Sequence, residues 1–326
     1  MLPAIISEVV GAGAAARTPY DPLERLPPGS GAGKVYVVTG GHGGIGLSTT
    51  KYLALSGARV LIASRTRSKV EQAIEQLVKD HGEELRSRLA YVELDLASLK
   101  QVVKAGEEVL KTEERLDGVV CNAGIMGLPY QLTEDGVEQQ FQVNYLGHWL
   151  LVQKLLPLLE KTADLTGHTS RVVNVSSFAH NFVSLYPFAM LSYASKADIN
   201  CSYYSPWIRY SVGKLSQIYG ARELNRRVTS GKVKALSVHP GFVASNLYEA
   251  HPLARPALKY FIDINEGAYS SVYAVADPEV EEKQIWGEYL VPFCKVKEPR
   301  NGKNEVKERE LWELSEAICR EKVGSW

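Results

Sequence analysis

Cysteine is scarce in this chain: Cys121, Cys201, Cys294 and Cys319 are the only four in 326 residues. They lie far apart, form no CxxC pair and have no histidine at metal-ligand spacing. Neither a disulfide framework nor a zinc site is signalled, and a reducing, cytoplasmic setting is expected. Net charge is missing as well. The 37 Lys and Arg residues match the 37 Asp and Glu residues, and no block of like charges marks an acidic or basic tail, so the electrostatic footprint of a nucleic-acid binder is excluded. Long apolar runs are absent too. A membrane-spanning helix needs roughly 18 to 20 such residues, and the best candidate, Trp149 to Leu159, is interrupted by Gln153, Lys154 and Pro157. No integral membrane segment is expected. The apolar start from Leu2 to Ala16 carries Glu8 and no preceding Lys or Arg, which reads poorly as a secretory leader; residues 1–33 are expected to form an N-terminal extension.

What is present is alternation. From Lys34 onward, short β-rich runs alternate with amphipathic stretches, the order expected of a doubly wound α/β fold with a parallel sheet covered on both faces. Strands are expected at Val35 to Thr39, Ala58 to Ser64, Leu89 to Leu94, Gly118 to Cys121, Arg171 to Ser176, Lys232 to Val238 and Glu288 to Pro292. Helices are expected at Ile45 to Ser56, Lys69 to Asp80, Leu99 to Leu110, Thr133 to Glu160, Tyr210 to Arg226, Glu266 to Ala276 and Asn304 to Ile318. With no internal repeat or interdomain linker, residues 34–326 read as one domain. Two segments, 178–209 and 242–265, are too long for tight connections. Both follow the C-terminal ends of strands, where open α/β sheets bind ligands.

The turn from Thr39 to Gly46, with Gly40, His42, Gly44, Ile45 and Gly46, sits between the first strand and the first helix. Glycines there let the backbone approach a pyrophosphate, and the helix N-terminus favours its negative charge. At the end of the second strand, an acidic residue would accept hydrogen bonds from an adenosine 2′-hydroxyl; Arg65, Arg67 and Lys69 stand there instead. Cations at the strand end suit the extra phosphate of NADP(H), which is therefore the expected cofactor, with Arg65 as its main contact and Lys69 beside it. The alternative is a solvated basic face opening the helix.

Taken together, the Gly-rich turn, Asp95 with Leu96, the run Cys121, Asn122, Ala123 and Gly124, Asn144, the Ser176 and Ser177 pair, Tyr210 with Lys214, and His239, Pro240 and Gly241 resemble the short-chain dehydrogenase/reductase family. The resemblance spans residues 34 to about 300. Ala179 with His180, and Leu311, Trp312 and Glu313, are similar to the retinol-dehydrogenase-like branch and its fungal relatives, which suggests secondary metabolism. The resemblance implies a Rossmann-type single domain, with 178–209 inserted before the catalytic helix, and a homodimer. It implies that Asp95 and Leu96 meet the adenine, that Asn122, Ala123 and Gly124 line the adenosine side, and that Pro240, Gly241, Val243 and Ser245 hold the nicotinamide end. Tyr210 becomes the acid/base, Lys214 lowers its pKa and holds the ribose, Ser177 bonds the substrate oxygen, and Asn144 completes a water relay. Choosing Ser177 over Ser176 rests on the family alignment.

Chemistry supports the Tyr210 and Lys214 pairing. A phenol titrates near pH ~10, and a cation within about 4 to 6 Å favours its ionised form. Four residues apart on a helix, the two side chains project from one face. Tyr193 and Lys196 offer a similar wording, but Pro206 disfavours one helix through that stretch, whereas Ser205 and Pro206 make a helix start leading into Tyr210. His180 and His239 are expected to stabilise loops. Aromatic residues crowd both long segments: Phe178, Phe182, Tyr186, Phe188, Tyr193, Tyr203, Tyr204 and Trp207, then Phe242, Tyr248, Tyr260 and Phe261. They favour an apolar polyketide-, retinoid- or terpenoid-like carbonyl as the small-molecule substrate. Other readings are a dehydratase, epimerase or cyclase on the same scaffold, or a non-catalytic NADP(H) sensor.

Overall fold

A computed structural model describes residues 20–185, 192–243 and 262–326 of the chain. Its strands are β1 (Val35–Thr39), β2 (Arg59–Ser64), β3 (Leu89–Glu93), β4 (Gly118–Cys121), β5 (Ser170–Val175), β6 (Val233–Val238), β7 (Tyr289–Val291) and β8 (Lys295–Val296). Among the described residues they form one sheet in the order β3-β2-β1-β4-β5-β6-β7-β8, parallel except for β8. The main helices are α1 (Gly44–Leu55), α2 (Arg67–His81), α3 (Leu99–Thr112), α4 (Gly147–Thr166), α5 (Pro206–Arg227), α6 (Ile264–Ala276) and α7 (Glu305–Val323). The chain winds outward from β1 to β3, then returns to β4 on the other side of β1, which makes the doubly wound sheet with its switch point between β1 and β4.

Alternate residues of each strand feed opposite cores. Val35, Val37 and Val119 face the layer containing α3, α4, α5 and α7. Tyr36, Val38 and Val120 face the layer of α1, α2 and α6. Strands buried on both sides must be apolar throughout, which is why the central strands read as continuous Val-rich runs rather than alternating ones.

Two local expectations change. The segment expected as an extension is packed from residue 20 on, so the boundary at 33 falls inside folded structure. Tyr20 sits edge-on against Tyr269 and Tyr273, Leu26 is buried, Arg25 pairs with Asp277 at 2.8 Å, and Gly29 and Gly31 donate to the Ser56 carbonyl. Tertiary contacts of this kind leave no periodic trace in a short, Pro- and Gly-rich stretch. The helix expected from Thr133 instead begins at Gln139, because Leu132 bridges Glu138 across a turn at Gly136 (φ 72°) and the Glu138 carboxylate caps the Phe141 amide at 2.8 Å. It then passes through one π-type turn, Gln142–Leu146, before α4 runs on to Thr166. As the Ser205 and Pro206 pair predicts, α5 starts at Pro206, four residues ahead of Tyr210, with the Ser205 hydroxyl accepting from the Ile208 amide. A proline in the first turn, where its missing N–H is not needed, is what its ring permits.

Candidate active site

The switch point is fastened by one threonine. Thr39, the last residue of β1, is fully buried, and its Oγ1 accepts from the Asn122 and Ala123 amides at 2.9 and 3.0 Å. Asn122 returns the bond by donating from Nδ2 to the Thr39 carbonyl at 2.9 Å. The ends of β1 and β4 are thereby locked side by side, with the Gly-rich turn above one and the Asn122 to Gly124 run above the other.

Within the turn, Gly40 has φ 65°, a left-handed conformation that favours glycine. Gly46 is required for space: a Cβ there would stand 2.4 Å from the Gly40 carbonyl oxygen and 2.5 Å from Asn122 Nδ2. Helix α1 follows with Gly43 as its N-cap and no side chain capping it. Its first amides are therefore directed at the turn with no side-chain acceptor, the arrangement that receives a phosphate group. Gly46→Ala is expected to cost about 1 to 3 kcal/mol in folding stability and to weaken dinucleotide binding, read by urea unfolding and by NADPH fluorescence titration. Unchanged binding would mean that the turn does not cradle the nucleotide.

Gly40, His42, Gly44, Ile45, Gly46, Asn122, Ala123, Gly124, Ser177, Tyr210, Lys214, Pro240, Gly241 and Val243 line one cleft of about 410 Å³. Gly43, Val175 and Ser176 line it too. Gly43 was legible as part of the same turn. Val175 contributes backbone, for which the sequence carries no signal.

Tyr210 and Lys214 meet on one face of α5, each only 4% exposed. Lys214 Nζ donates to the Val175 carbonyl at 2.7 Å and lies 5.7 Å from the centre of the Tyr210 ring. Burial pulls the Lys214 pKa down to about 8, since desolvation penalises an ammonium. Ser176 Oγ donates to the Lys214 carbonyl at 2.6 Å, pinning α5 to the end of β5. Ser177, one residue further, is half-buried at the cleft, its Oγ accepting from the Ala179 amide at 3.2 Å.

Asn144 lies behind the lining rather than in it. It sits in the π-type turn, and its side chain is held on both sides by Ile125, accepting from N at 2.8 Å and donating to O at 2.9 Å. A Cβ on Gly124 would be 3.1 Å from Asn144 Oδ1 and 3.5 Å from Lys214 Nζ, so the missing side chain leaves a gap bordered by both groups.

Four expected cofactor residues stand outside this lining. Asp95 and Leu96 follow β3, with Asp95 Oδ1 accepting from the Ala97 amide at 2.9 Å and Leu96 buried. Arg65 and Lys69 are exposed beyond β2. Arg67 turns elsewhere, over the Tyr91 ring at 4.4 Å and 3.8 Å from Glu71. The His42 pKa is lowered by burial and then by the nearby Lys69. Ser245 lies outside the described residues, as do Tyr186, Phe188, Tyr248, Tyr260 and Phe261.

The rival tyrosine is a core residue. Tyr193 is 1% exposed, its hydroxyl shares a 3.0 Å hydrogen bond with Ser216 Oγ, and burial drives its pKa well above the usual phenol value. Lys196 points to the surface, 2.9 Å from Glu321. His180 Nδ1 lies 2.7 Å from the Ser177 carbonyl, and His239 Nδ1 accepts from the Phe178 and Gly241 amides. Both are buried, and His239 is held neutral, its pKa pulled to about 3 by desolvation. Among the described residues no group of His, Cys, Asp and Glu side chains could hold a metal, and no helix is long and apolar enough to cross a membrane.

A doubly wound parallel sheet whose switch point carries a Gly-rich turn, next to a Tyr and Lys pair, defines a Rossmann-fold, dinucleotide-binding class of protein. The family model described as short chain dehydrogenase matches residues 34–200, and the chain belongs to that family. It is 36% identical over 309 residues to the short-chain dehydrogenase/reductase drtF of Aspergillus calidoustus, covering 89% of this chain and 95% of that protein. It is also 36% identical over 309 residues to mouse retinol dehydrogenase 14, covering 89% of this chain and 87% of the relative. A crystal structure of a protein from Mycobacterium paratuberculosis superimposes with a TM-score of 0.68 at 29% identity, over 93% of this chain and 98% of the other.

Proposed function

We propose that this short-chain dehydrogenase is an NADP(H)-dependent oxidoreductase that interconverts a carbonyl and an alcohol on a small apolar molecule. The observation that carries the reading is the meeting of Tyr210, Lys214 and Ser177 in the same cleft as the Gly-rich turn. The cradle that a Cβ on Gly46 would fill and the uncapped start of α1 fit a dinucleotide. Gly40, Gly44, Ile45 and Gly46 would hold its pyrophosphate. Asp95 and Leu96 would meet its adenine, and Asn122, Ala123 and Gly124 would line the adenosine side. Pro240, Gly241, Val243 and Ser245 would hold the nicotinamide end. When bound, the nicotinamide supplies or takes the hydride.

The chain's own residues handle the proton. In reduction the Tyr210 hydroxyl donates its proton to the substrate oxygen, and the Ser177 hydroxyl donates a hydrogen bond to the same oxygen. The Lys214 ammonium favours the phenolate that remains and binds the ribose hydroxyls. The phenolate regains its proton from solvent along a water relay past Lys214, which Asn144 would complete across the gap that Gly124 leaves open. An apolar substrate suits the wall beside Ser177, where Phe178 packs against Phe182 and Phe242 with ring centres 5.9 Å apart in each case. The test is NADPH consumption with a panel of apolar and aromatic ketones, aldehydes and quinones; no turnover with any of them would overturn the reading.

Arg65 is the preferred contact for the phosphate that distinguishes NADP(H), because it stands directly at the end of β2, whereas Arg67 lies over the Tyr91 ring at 4.4 Å. Removing a charge-assisted hydrogen bond costs about 1.5 to 3 kcal/mol. Arg65→Ala is therefore expected to weaken NADPH roughly tenfold or more while leaving NADH nearly unchanged, as measured by fluorescence titration. Equal losses for the two nucleotides would refute the assignment.

A further inference from the structure

A small pocket of about 20 Å³ between α4 and α5 is bordered by, among others, His148, Trp149, Gln153, Asn174, Gln217 and Trp312. A single water needs roughly 10 to 15 Å³ for its centre and two to four polar partners. Three buried atoms of these residues have no hydrogen-bond partner among the described residues: Gln217 Oε1, Trp149 Nε1 and Gln153 Nε2.

The orientation of the Gln217 amide is dictated by what it meets. The Asn144 carbonyl can only accept, so the Gln217 NH₂ group faces it and donates to it, and Oε1 is the end left without a donor. Gln217 is otherwise well anchored, its backbone carbonyl accepting from Asn174 Nδ2 at 2.9 Å. Two donors without acceptors and one acceptor without a donor are complementary to one water molecule, which has two lone pairs and two protons. An apolar occupant would leave all three atoms unsatisfied, and an anion could not satisfy Gln217 Oε1.

We propose that this pocket is the site of one resident water, accepting from Trp149 Nε1 and Gln153 Nε2 and donating to Gln217 Oε1, and that Gln217 is a positioning residue for Asn144. The second part rests on the role given above to Asn144. The Asn144 carbonyl, in the π-type turn, receives Gln217 Nε2 and lies 3.2 Å from His148 Nδ1. His148 Nε2 in turn lies 2.8 Å from Thr39 Oγ1, so the same network reaches the threonine that locks the nucleotide turn. A water bound to Oε1 holds the amide in the one orientation that supports the carbonyl.

A high-resolution crystal structure of the full chain should show a water within about 3.2 Å of all three atoms; a dry pocket, or one filled by a shifted side chain, overturns the site. In steady-state kinetics Gln217→Leu is expected to lower kcat roughly ten- to a hundredfold, the scale of a small misplacement, with the NADPH Kd and the substrate KM nearly unchanged. Gln153→Met, which removes one donor to the water and touches neither Asn144 nor the cleft, should lower kcat by a smaller factor with the same split. A kcat unaltered in a stably folded Gln217→Leu enzyme, or a loss confined to KM, overturns the positioning role. If Gln217→Leu does not fold, Gln153→Met decides it by the same criterion. Should the wild-type enzyme reduce no carbonyl, the proposed function fails and the positioning role with it, while the water site stands or falls on the crystal structure alone.

Discussion

Replacing Tyr210 by Phe should lower carbonyl reduction by about 10² to 10⁴, the usual contribution of a positioned acid or base, while NADPH binding changes little. The substitution removes one oxygen and keeps the ring, so the packing of a side chain that is only 4% exposed is preserved. What is lost is the hydroxyl placed in the cleft with Lys214 5.7 Å from the ring centre. Ser177 retains its hydroxyl, but an aliphatic alcohol is a far weaker acid than a phenol and cannot replace it as proton donor. Steady-state rates with a responsive ketone, set beside a fluorescence titration of NADPH, separate chemistry from binding. A Tyr210→Phe enzyme of undiminished kcat would remove the mechanism, whatever else the cleft binds.

Lys214→Met is the second large effect, expected to lower kcat/KM at least about a hundredfold. Unlike Tyr210→Phe, it should weaken nucleotide binding as well, because Lys214 would hold the ribose. The pH dependence carries a sign that distinguishes this lysine from a surface one. Its folded pKa of about 8 lies below the ordinary lysine value of 10.5. Between those limits the unfolded chain holds the proton that the folded chain has lost, so this group's contribution to stability rises with pH across that window. Below pH 8 the full burial cost of the ammonium is present. Lys214→Met should therefore gain stability relative to the wild type near neutrality, offset by the lost bond to Val175, and that gain should shrink as the pH rises from about 8 to 10.5. Activity moves oppositely. In the proposed mechanism the ammonium is the form that acidifies Tyr210, so kcat/KM for reduction should fall above about pH 8 in the free enzyme. Urea unfolding and kinetics across that range read the two effects separately. A stability difference between Lys214→Met and wild type that stays flat through the window would show that the lysine is not buried as described.

Much of this site could be read from residues close together in sequence. The Gly-rich turn announces itself because a strand, four glycines and a helix start follow within a few residues, and the left-handed backbone at Gly40 is one that glycine adopts freely. The start of α5 could be read in the same way, since Ser205 caps and Pro206 opens a helix whatever surrounds them. For that reason the sequence alone favours Tyr210 over Tyr193. The structure places Tyr193 against Ser216 and Tyr219 in the core, a fate that its own neighbours in sequence do not encode.

The amino-acid order by itself determined the alternation of strands and helices, the doubly wound class, the nucleotide turn and the pairing of Tyr210 with Lys214. All of these follow from interactions within one turn or one strand, where periodicity and backbone sterics act directly. Only the tertiary structure decided that residues 20–33 pack on the body, that Asn144 sits in a π-type turn clasped by Ile125, that Ser176 is committed to the Lys214 carbonyl, and that Arg67 turns away to Tyr91. Each of these depends on which distant backbone groups and side chains the sheet brings within hydrogen-bond or van der Waals reach, a competition among many near-equal partners that no short window of sequence contains.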